Sequence, residues 1–444
     1  MGGVTLVVNA AGRWKALVQS APPGLRRLAG HFSTTLVGQV MLVLGLFVVT
    51  RVSAGLFTSS GFGQYQVARR TLAVIALPLM CGVGISMPRY IARSLDDRRA
   101  VARWLFSSVA VVVLLSAGVI AYGLWDSSRV CTWVFGSQSE RWLVPALLAA
   151  VVGTLCHTLA YSALRGFSRF HSTATLQVVD GALVPLAGVL LASGRVERAL
   201  IIASVLWVAI GGAVLVRLCW QWSRPLMPTL GEIWPCIRAQ LVFGVPRIPG
   251  EVALFGLFAL PVYATVHRNN ILGAGLVSVG LSLVQSIAMV FSATGFVLLP
   301  YWSRTAGNRA SLERAQKRIG VLLIGSAVVA SLGVGLIEVS LHSIAHLVLG
   351  RLAAAGVYDL RGIVFCAIPY AVYLVLRDYF DAVFVAPINT LALVAAILLQ
   401  AALLSSSSLS VIAATVTSFT ALGLFMAVLW VASLRQLTAG EGEK

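Results

Sequence analysis

Ionisable side chains inside apolar runs are the first candidates for chemistry, because a charge in hydrocarbon costs roughly 2.5–3.5 kcal/mol on insertion scales. The stretch FGVPRIPGEVALF, Phe243 to Phe255, holds Arg247 and Glu251, four residues apart and able to pair on one helical face. Pro246, Pro249 and Gly250 lie among them, so a regular helix must kink or open there. A buried pair of this kind adds little net stability. It reads as a gate, as an anion site, or as a structural interface pair. Asp180, in LQVVDGALVPLAG, lies about a third of the way into another apolar run and must face protein or water. Two uses fit it, a proton or cation site and a helix-to-helix hydrogen bond. Glu338, His342 and His346 fall at i, i+4 and i+8, a stripe that needs a further ligand to hold a metal; an interfacial helix over 340–360 is the simpler reading. None of the six cysteines forms a CxxC or metal-type spacing, and no cofactor is expected.

The elements that position these groups follow from composition. With 444 residues, 59% hydrophobic, 11% charged and a mean hydropathy of +0.91, the chain is made for a bilayer. Runs of about 17 or more mostly apolar residues mark candidate spans. Twelve are expected, at 33–50, 71–88, 104–124, 142–163, 173–193, 199–218, 239–264, 272–300, 319–339, 361–376, 386–404 and 409–433. Backbone groups in hydrocarbon must be satisfied within each segment, and runs of this length suit helices where barrel strands are about half as long. The expected fold class is all-α, a polytopic membrane protein. Val52 to Gln64, with its serines and glycines, is expected to form a short outer turn.

Arginine sets the expected orientation. If the amino terminus is cytoplasmic, 22 of the 33 basic residues fall on that side, 10 on the other, and Arg247 within a span. Basic residues collect on the cytoplasmic side of short loops, so both termini are placed inside and the protein in the cell membrane. The densest basic stretches are the loops 89–103 and 301–318. The +18 charge then reflects topology and contact with anionic membrane lipid. Scattered over many short segments, it does not make the single basic surface that nucleic acid requires. Trp104, Trp125, Trp142, Trp220, Trp222 and Trp302 fall at expected span ends, as an aromatic belt should. The only apolar run near the start, Val4 to Val8, is too short for a signal-peptide core.

A repeat organises the whole. Gly63 and Pro88 bracket one apolar segment, and Gly275 and Pro300 bracket another of the same length, 212 residues later. The same offset carries Gly38 onto Gly250, and Leu164-Arg165 onto Leu376-Arg377. Agreement of three separated landmarks on one register points to a duplicated half, an arrangement transporters use to build a path between halves. The expected organisation is a cytoplasmic arm at 1–31, a first six-helix lobe at 32–220, a cytoplasmic linker at 221–238, a second lobe at 239–433 and a tail at 434–444.

The order GFGQY at 61–65, GISMPRYIAR at 84–93, ALRGFSRF at 163–170, FGVPRIPG at 243–250 and FVLLPYWSR at 296–304 resembles the polysaccharide and lipid-linked oligosaccharide flippases. These belong to the multidrug, oligosaccharidyl-lipid and polysaccharide exporter superfamily. The likeness covers nearly the whole chain. It implies two six-helix pseudo-repeats around a central, often cationic cavity that opens alternately to each side. It also implies a polyprenyl-diphosphate-linked oligosaccharide as cargo, flipped from the inner to the outer leaflet, with assembly glycosyltransferases or a polymerase as partners. A diphosphate in hydrocarbon needs fixed cations and water. Arg247, Arg51, Arg70 and Arg89 are the candidates for that contact, with Asp180 and Glu251 as ion-coupling groups. Twelve spans fall short of the fourteen expected of the lipid II flippase branch. A cation-coupled drug antiporter of the same superfamily would favour acids over arginines in its cavity. A membrane glycosyltransferase needs room for an acceptor site in a sizeable loop, and no connection is expected to exceed about 25 residues.

Overall fold

The computed structural model describes residues 23–223, 227–305, 309–383, 388–406 and 409–439, and every regular element among them is helical. Residues 1–22 of the expected arm, 224–226 of the linker and 440–444 of the tail lie outside them, as do the side chains of the basic loop 301–318 and its Trp302. The first half runs α1 (Pro23–Leu56), α2 (Ser59–Met80), α3 (Val83–Arg93), α4 (Arg98–Trp125), a short α5 (Ser127–Phe135), α6 (Val144–Gly166), α7 (Phe170–Leu191) and α8 (Val196–Ser223). The second runs α9 (Leu230–Gly244), α10 (Ile248–His267), α11 (Ile271–Thr305), α12 (Arg309–Val339), a short α13 (Leu341–Leu349), α14 (Ala353–Ile363), α15 (Ala367–Val383), α16 (Ile388–Ser405) and α17 (Val411–Ala439). Eleven stretches are long and apolar enough to cross a membrane, and the bent pair of α2 and α3 makes a twelfth. This is a multi-pass, all-α membrane architecture. Leu114, Val216, Val321 and Leu336 stand about 70% exposed on its outside, as hydrocarbon-facing side chains do, while Phe62, Phe258, Tyr373 and Phe419 are sealed within.

Interruptions in three of the helices bear on the site, each for a local reason. In α2, Pro78 lacks an N–H and crowds the preceding turn. Cys81 and Gly82 then take the left-handed conformation, and α3 leaves at 50° to α2. In α7, residues Val179–Leu183 form a π-turn, an inserted residue that rotates the remainder of the helix about its axis. Between α9 and α10, Val245–Arg247 form one 3-10 turn; Pro246 and Pro249 stand in first-turn positions where the missing N–H costs nothing. The departure from a regular α-helix expected at this proline pair is therefore present, as a 3-10 turn.

The outer turn expected over Val52 to Gln64 shrinks to Phe57 and Thr58. Helix α1 continues to Leu56 and α2 begins at Ser59, where the Thr58 hydroxyl accepts from the Gly61 amide at 3.0 Å. The glycines and serine that suggested a turn instead lie in a helix whose small surface permits a close crossing. Arg70 consequently sits three turns inside α2, away from its end. Residues 230–238, assigned to the linker from sequence, are helical from Leu230, with a capping box between Thr229 and Glu232. Helix α9 packs on α3 and α4 of the first half, whereas α10 packs on α11 and α16 of the second.

The two halves repeat one packing scheme. Gly38 of α1 rests on Ala174 of α7, as Gly250 of α10 rests on Thr390 of α16. Helix α6 packs on α8 as α15 packs on α17, and α4 on α6 as α12 on α15. Across the halves α2 crosses α11, with α10 on α2 and α1 on α11. At the crossing, a methyl added to Gly275 would lie 2.9 Å from the Cα of Gly63. These are the two glycines related by the 212-residue offset. Residues that meet their own counterparts lie on a pseudo-twofold axis, so the axis runs between α2 and α11.

Candidate functional site

Two turns along the same crossing, Arg70 is buried between the halves. Its guanidinium donates to the Ser278 carbonyl at 2.8 Å, the Ser282 hydroxyl at 3.1 Å, the Gln285 amide oxygen at 3.1 Å and the Ser278 hydroxyl at 3.4 Å. Ser282 is the 212-offset counterpart of Arg70, a second pair on the axis. One face of α11 supplies all four acceptors, because Ser278, Ser282 and Gln285 are spaced four and three apart. Beside it the Tyr263 hydroxyl of α10 donates to the Thr71 hydroxyl at 2.9 Å. Every acceptor for Arg70 is neutral.

A second arginine site forms where the broken helices meet. Gly82 at the start of α3 touches Gly244 at the end of α9 so closely that a methyl on either would overlap the other backbone. That approach brings Arg89 and Arg247 to one aromatic ring, Phe243, with guanidinium carbons 4.6 Å and 3.8 Å from its centroid. Tyr90 meets Phe243 edge-on and stacks on Trp104 at 4.1 Å, which holds the ring from behind. Arg247 donates to the Phe243 carbonyl at 2.5 Å. Both arginines are exposed, and among the described residues no carboxylate lies within 4 Å of either. The expected Arg247–Glu251 ion pair is absent, because Arg247 belongs to the 3-10 turn and folds back while Glu251 opens α10, half-buried. Such an arrangement holds two cations on an aromatic shelf with most of their N–H edges free.

The remaining candidates lie elsewhere. Arg51 is on the face of the molecule opposite the arginine-rich loops, its guanidinium laid over Gly350. Asp180 is buried in the π-turn of α7; its carboxylate accepts from His157 Nδ1 of α6 at 2.6 Å, and its carbonyl accepts from the Trp207 indole of α8 at 2.6 Å. The helix-to-helix hydrogen bond is thus present, while Asp180 Oδ1 has no partner. Glu338 pairs with Arg361 at 3.3 Å, His342 and His346 stack edge to face, and among the described residues no three such ligands converge. A shallow, mostly apolar groove of about 600 Å³ runs between α1 and α7, lined by Val37, Met41, Val178 and Leu183; it contains none of the candidate arginines.

Sequence reading missed His157 and Phe243. His157 stands alone in an apolar run, and nothing in linear order ties it to Asp180. The acceptors of Arg70 had a signal, polar residues four apart in an otherwise apolar α11. Trp125, Trp142 and Trp220 are exposed as a belt requires, but Trp104 and Trp222 are half-buried in stacks with Tyr90 and Phe167.

No protein-family model and no curated protein matches the chain. Solved structures do. An inward-facing multidrug resistance MATE family transporter of the MOP superfamily superposes with a TM-score of 0.65 at 11% identity, over 92% of this chain and 99% of the other. An outward-facing form of such a transporter gives 0.59 at 13% identity, over 96% and 98%. A MOP superfamily transporter from Pyrococcus furiosus, described as having a binding pocket of reversed polarity, gives 0.55 at 14% identity, over 92% and 96%. The chain has the fold of MATE-type transporters of the MOP superfamily.

Proposed function

We propose that this protein is a membrane transporter that flips a polyprenyl-diphosphate-linked oligosaccharide, a cell-surface polysaccharide precursor, from the inner to the outer leaflet by alternating access. The arginine-rich face, with both termini, is cytoplasmic. The observation that carries this reading is the pair of exposed arginines on Phe243, neither of them in an ion pair among the described residues. Two guanidinium groups in reach of one point suit a diphosphate, whose charge and planar recognition favour arginine. The breaks at Cys81–Gly82 and Val245–Arg247 flank the pair, so a rocking of one bundle on the other bends the backbone beside the bound group.

Arg70 and Arg51 belong to the same path but act after it reopens. In the present state the Arg70 donors are taken by α11, and only separation of the bundles on the opposite side releases them. Asp180 and Glu251 are the coupling groups of the proposal, the first within the π-turn of α7 and the second in the first turn after the 3-10 turn. Solved relatives named as multidrug transporters make a cation-coupled drug antiporter the second reading. It fits the site less well, because cationic drugs are repelled by a paired-arginine shelf. The deciding experiment compares Arg89→Ala and Arg247→Ala in cells that make surface polysaccharide. Export falls about tenfold or more for each, at unchanged membrane abundance, as expected for a lost charge-assisted contact. Normal export from both variants, or dye efflux driven by a sodium or proton gradient, would rule against the flippase.

A further inference from the structure

We propose that the short helices α5 and α13 are a pair of reciprocal straps that close the passage on the face opposite the arginine-rich loops, and that each must lift for that face to open. The two are counterparts in detail. Each is nine residues long, each follows a long span, and each buries its first, fifth, eighth and ninth residues: Ser127, Cys131, Val134 and Phe135 in α5, and Leu341, Ala345, Val348 and Leu349 in α13. Each ends in a glycine of positive φ, Gly136 at 71° and Gly350 at 57°. Each reaches across to the first long helix of the other half. A methyl on Gly136 would lie 2.9 Å from Val266 Cγ1, near the end of α10, and one on Gly350 would overlap the Arg51 guanidinium, near the end of α1. The crossed arrangement means that neither half can move away on this side without sliding out from under the other's strap.

The straps are not equally fastened. Arg351, directly after the α13 glycine, donates Nε to the Ala54 carbonyl at 3.1 Å and Nη2 to the Phe57 carbonyl. Those carbonyls belong to the unsatisfied end of α1, where a cation is favoured. The residue after the α5 glycine is Ser137, whose hydroxyl turns back to its own loop. Strap α13 is therefore the latch, held by charge, and α5 a matching apolar flap.

The test uses a cysteine beneath the closure and does not depend on the cargo. Ser286→Cys, one turn past Ser282 on the Arg70-facing side of α11, is reacted with a membrane-impermeant maleimide added outside whole cells. The increment over the parent chain is read. Arg351→Ala should raise the rate about tenfold, since loss of contacts present in only one state shifts the population toward the other, and Arg351→Lys should fall between. Gly136→Cys with Val266→Cys then pins the other strap. The added Cβ is one bond beyond contact with Val266 Cβ, within the roughly 3.5–4.5 Å that a disulfide needs. Oxidation of that pair should return the Arg351→Ala rate to the parental value, and reductant should release it. Parental labelling by both Arg351 variants in folded protein overturns the proposal. So does a raised rate that the disulfide leaves untouched, or one seen only in inverted vesicles. Failure of the polysaccharide reading would leave all of these outcomes unchanged.

Discussion

Arg70 and Arg247 are the same side chain put to opposite uses. Arg70 directs its whole fork at neutral acceptors on a facing helix, so its charge is solvated by protein and its geometry fixed. Arg247 gives one N–H to a carbonyl of its own turn and rests its flat face on Phe243, leaving its other donors at the surface. A saturated guanidinium is a link between bundles. A stacked one is, under the proposed function, a contact reserved for something that is not protein. The difference arises from backbone: Arg70 lies in an unbroken stretch of α2 against a polar stripe, whereas Arg247 lies in a 3-10 turn that turns it away from any such stripe.

Breaking the link should show the largest effect. Arg70→Met removes the donor shared by the Ser278 and Ser282 hydroxyls and the Gln285 amide oxygen, while the Ser278 carbonyl keeps the Ser282 hydroxyl at 2.9 Å; hydrogen bonds to charged groups contribute about 1.5–3 kcal/mol. A stability loss near the upper end of that range is expected, read as a lowered melting midpoint in detergent. Arg70→Lys should recover less than half, because an ammonium cannot serve three acceptors in one plane. Arg247→Ala should move the same midpoint by no more than about 0.5 kcal/mol. Equal losses from both positions would erase the distinction.

The glycines on the axis offer the next test. Gly63→Val sets a branched side chain against the Ile271 backbone carbonyl, which cannot yield as a side-chain end could, and overpacking of this kind costs about 1–3 kcal/mol. Gly118, with nothing within 4 Å of its added Cβ, is the control, and Gly118→Val should be close to neutral. A neutral Gly63→Val would mean that α2 and α11 do not cross where the repeat places them.

Much of this architecture was legible in the sequence, because length and hydropathy alone constrain membrane helices. Twelve spans, the proline break and the 212-residue repeat are all in the fold. What misled was small-residue chemistry. Ser59 to Gly63 reads as a turn in water, but against a second helix the same residues are a contact surface, and only the partner helix distinguishes the two. The site divided along the same line. Arg89 and Arg247 were separable as candidates, yet their meeting depends on Gly82 touching Gly244, residues 162 positions apart with no linear signal. Arg51 lies a turn and a half before the end of α1, and its guanidinium rests on a positive-φ glycine in the other half.

Loss of the reserved contact should be smaller in energy and visible only in binding. With inorganic pyrophosphate as the probe, Arg247→Ala is expected to weaken affinity about tenfold, equivalent to 1.4 kcal/mol. Phe243→Leu should cost about threefold, through loss of the stacking that orients both guanidinium groups. The two effects should be less than additive, since they act on one cluster. Full additivity would indicate that the ring does not position Arg247.

A small effect on stability is expected at Asp180, and it carries the most information about coupling. Its carboxylate accepts from His157 at 2.6 Å, a role that an asparagine oxygen also fills, and the backbone carbonyl that holds Trp207 is untouched by any side-chain change. Asp180→Asn should therefore change stability by less than about 1 kcal/mol, since a neutral acceptor replaces a charged one without leaving the imidazole bare. The variant nevertheless cannot take up and release a cation in exchange for that hydrogen bond. If Asp180 couples an ion gradient to the bundle motion, the folded variant should bind pyrophosphate as the parent does and no longer respond to an imposed sodium or proton gradient. A retained response would leave Asp180 with the structural role alone, as the residue that ties α6, α7 and α8 together, and would move the coupling to Glu251, which sits in the first turn of α10, immediately past Arg247 and the hinge.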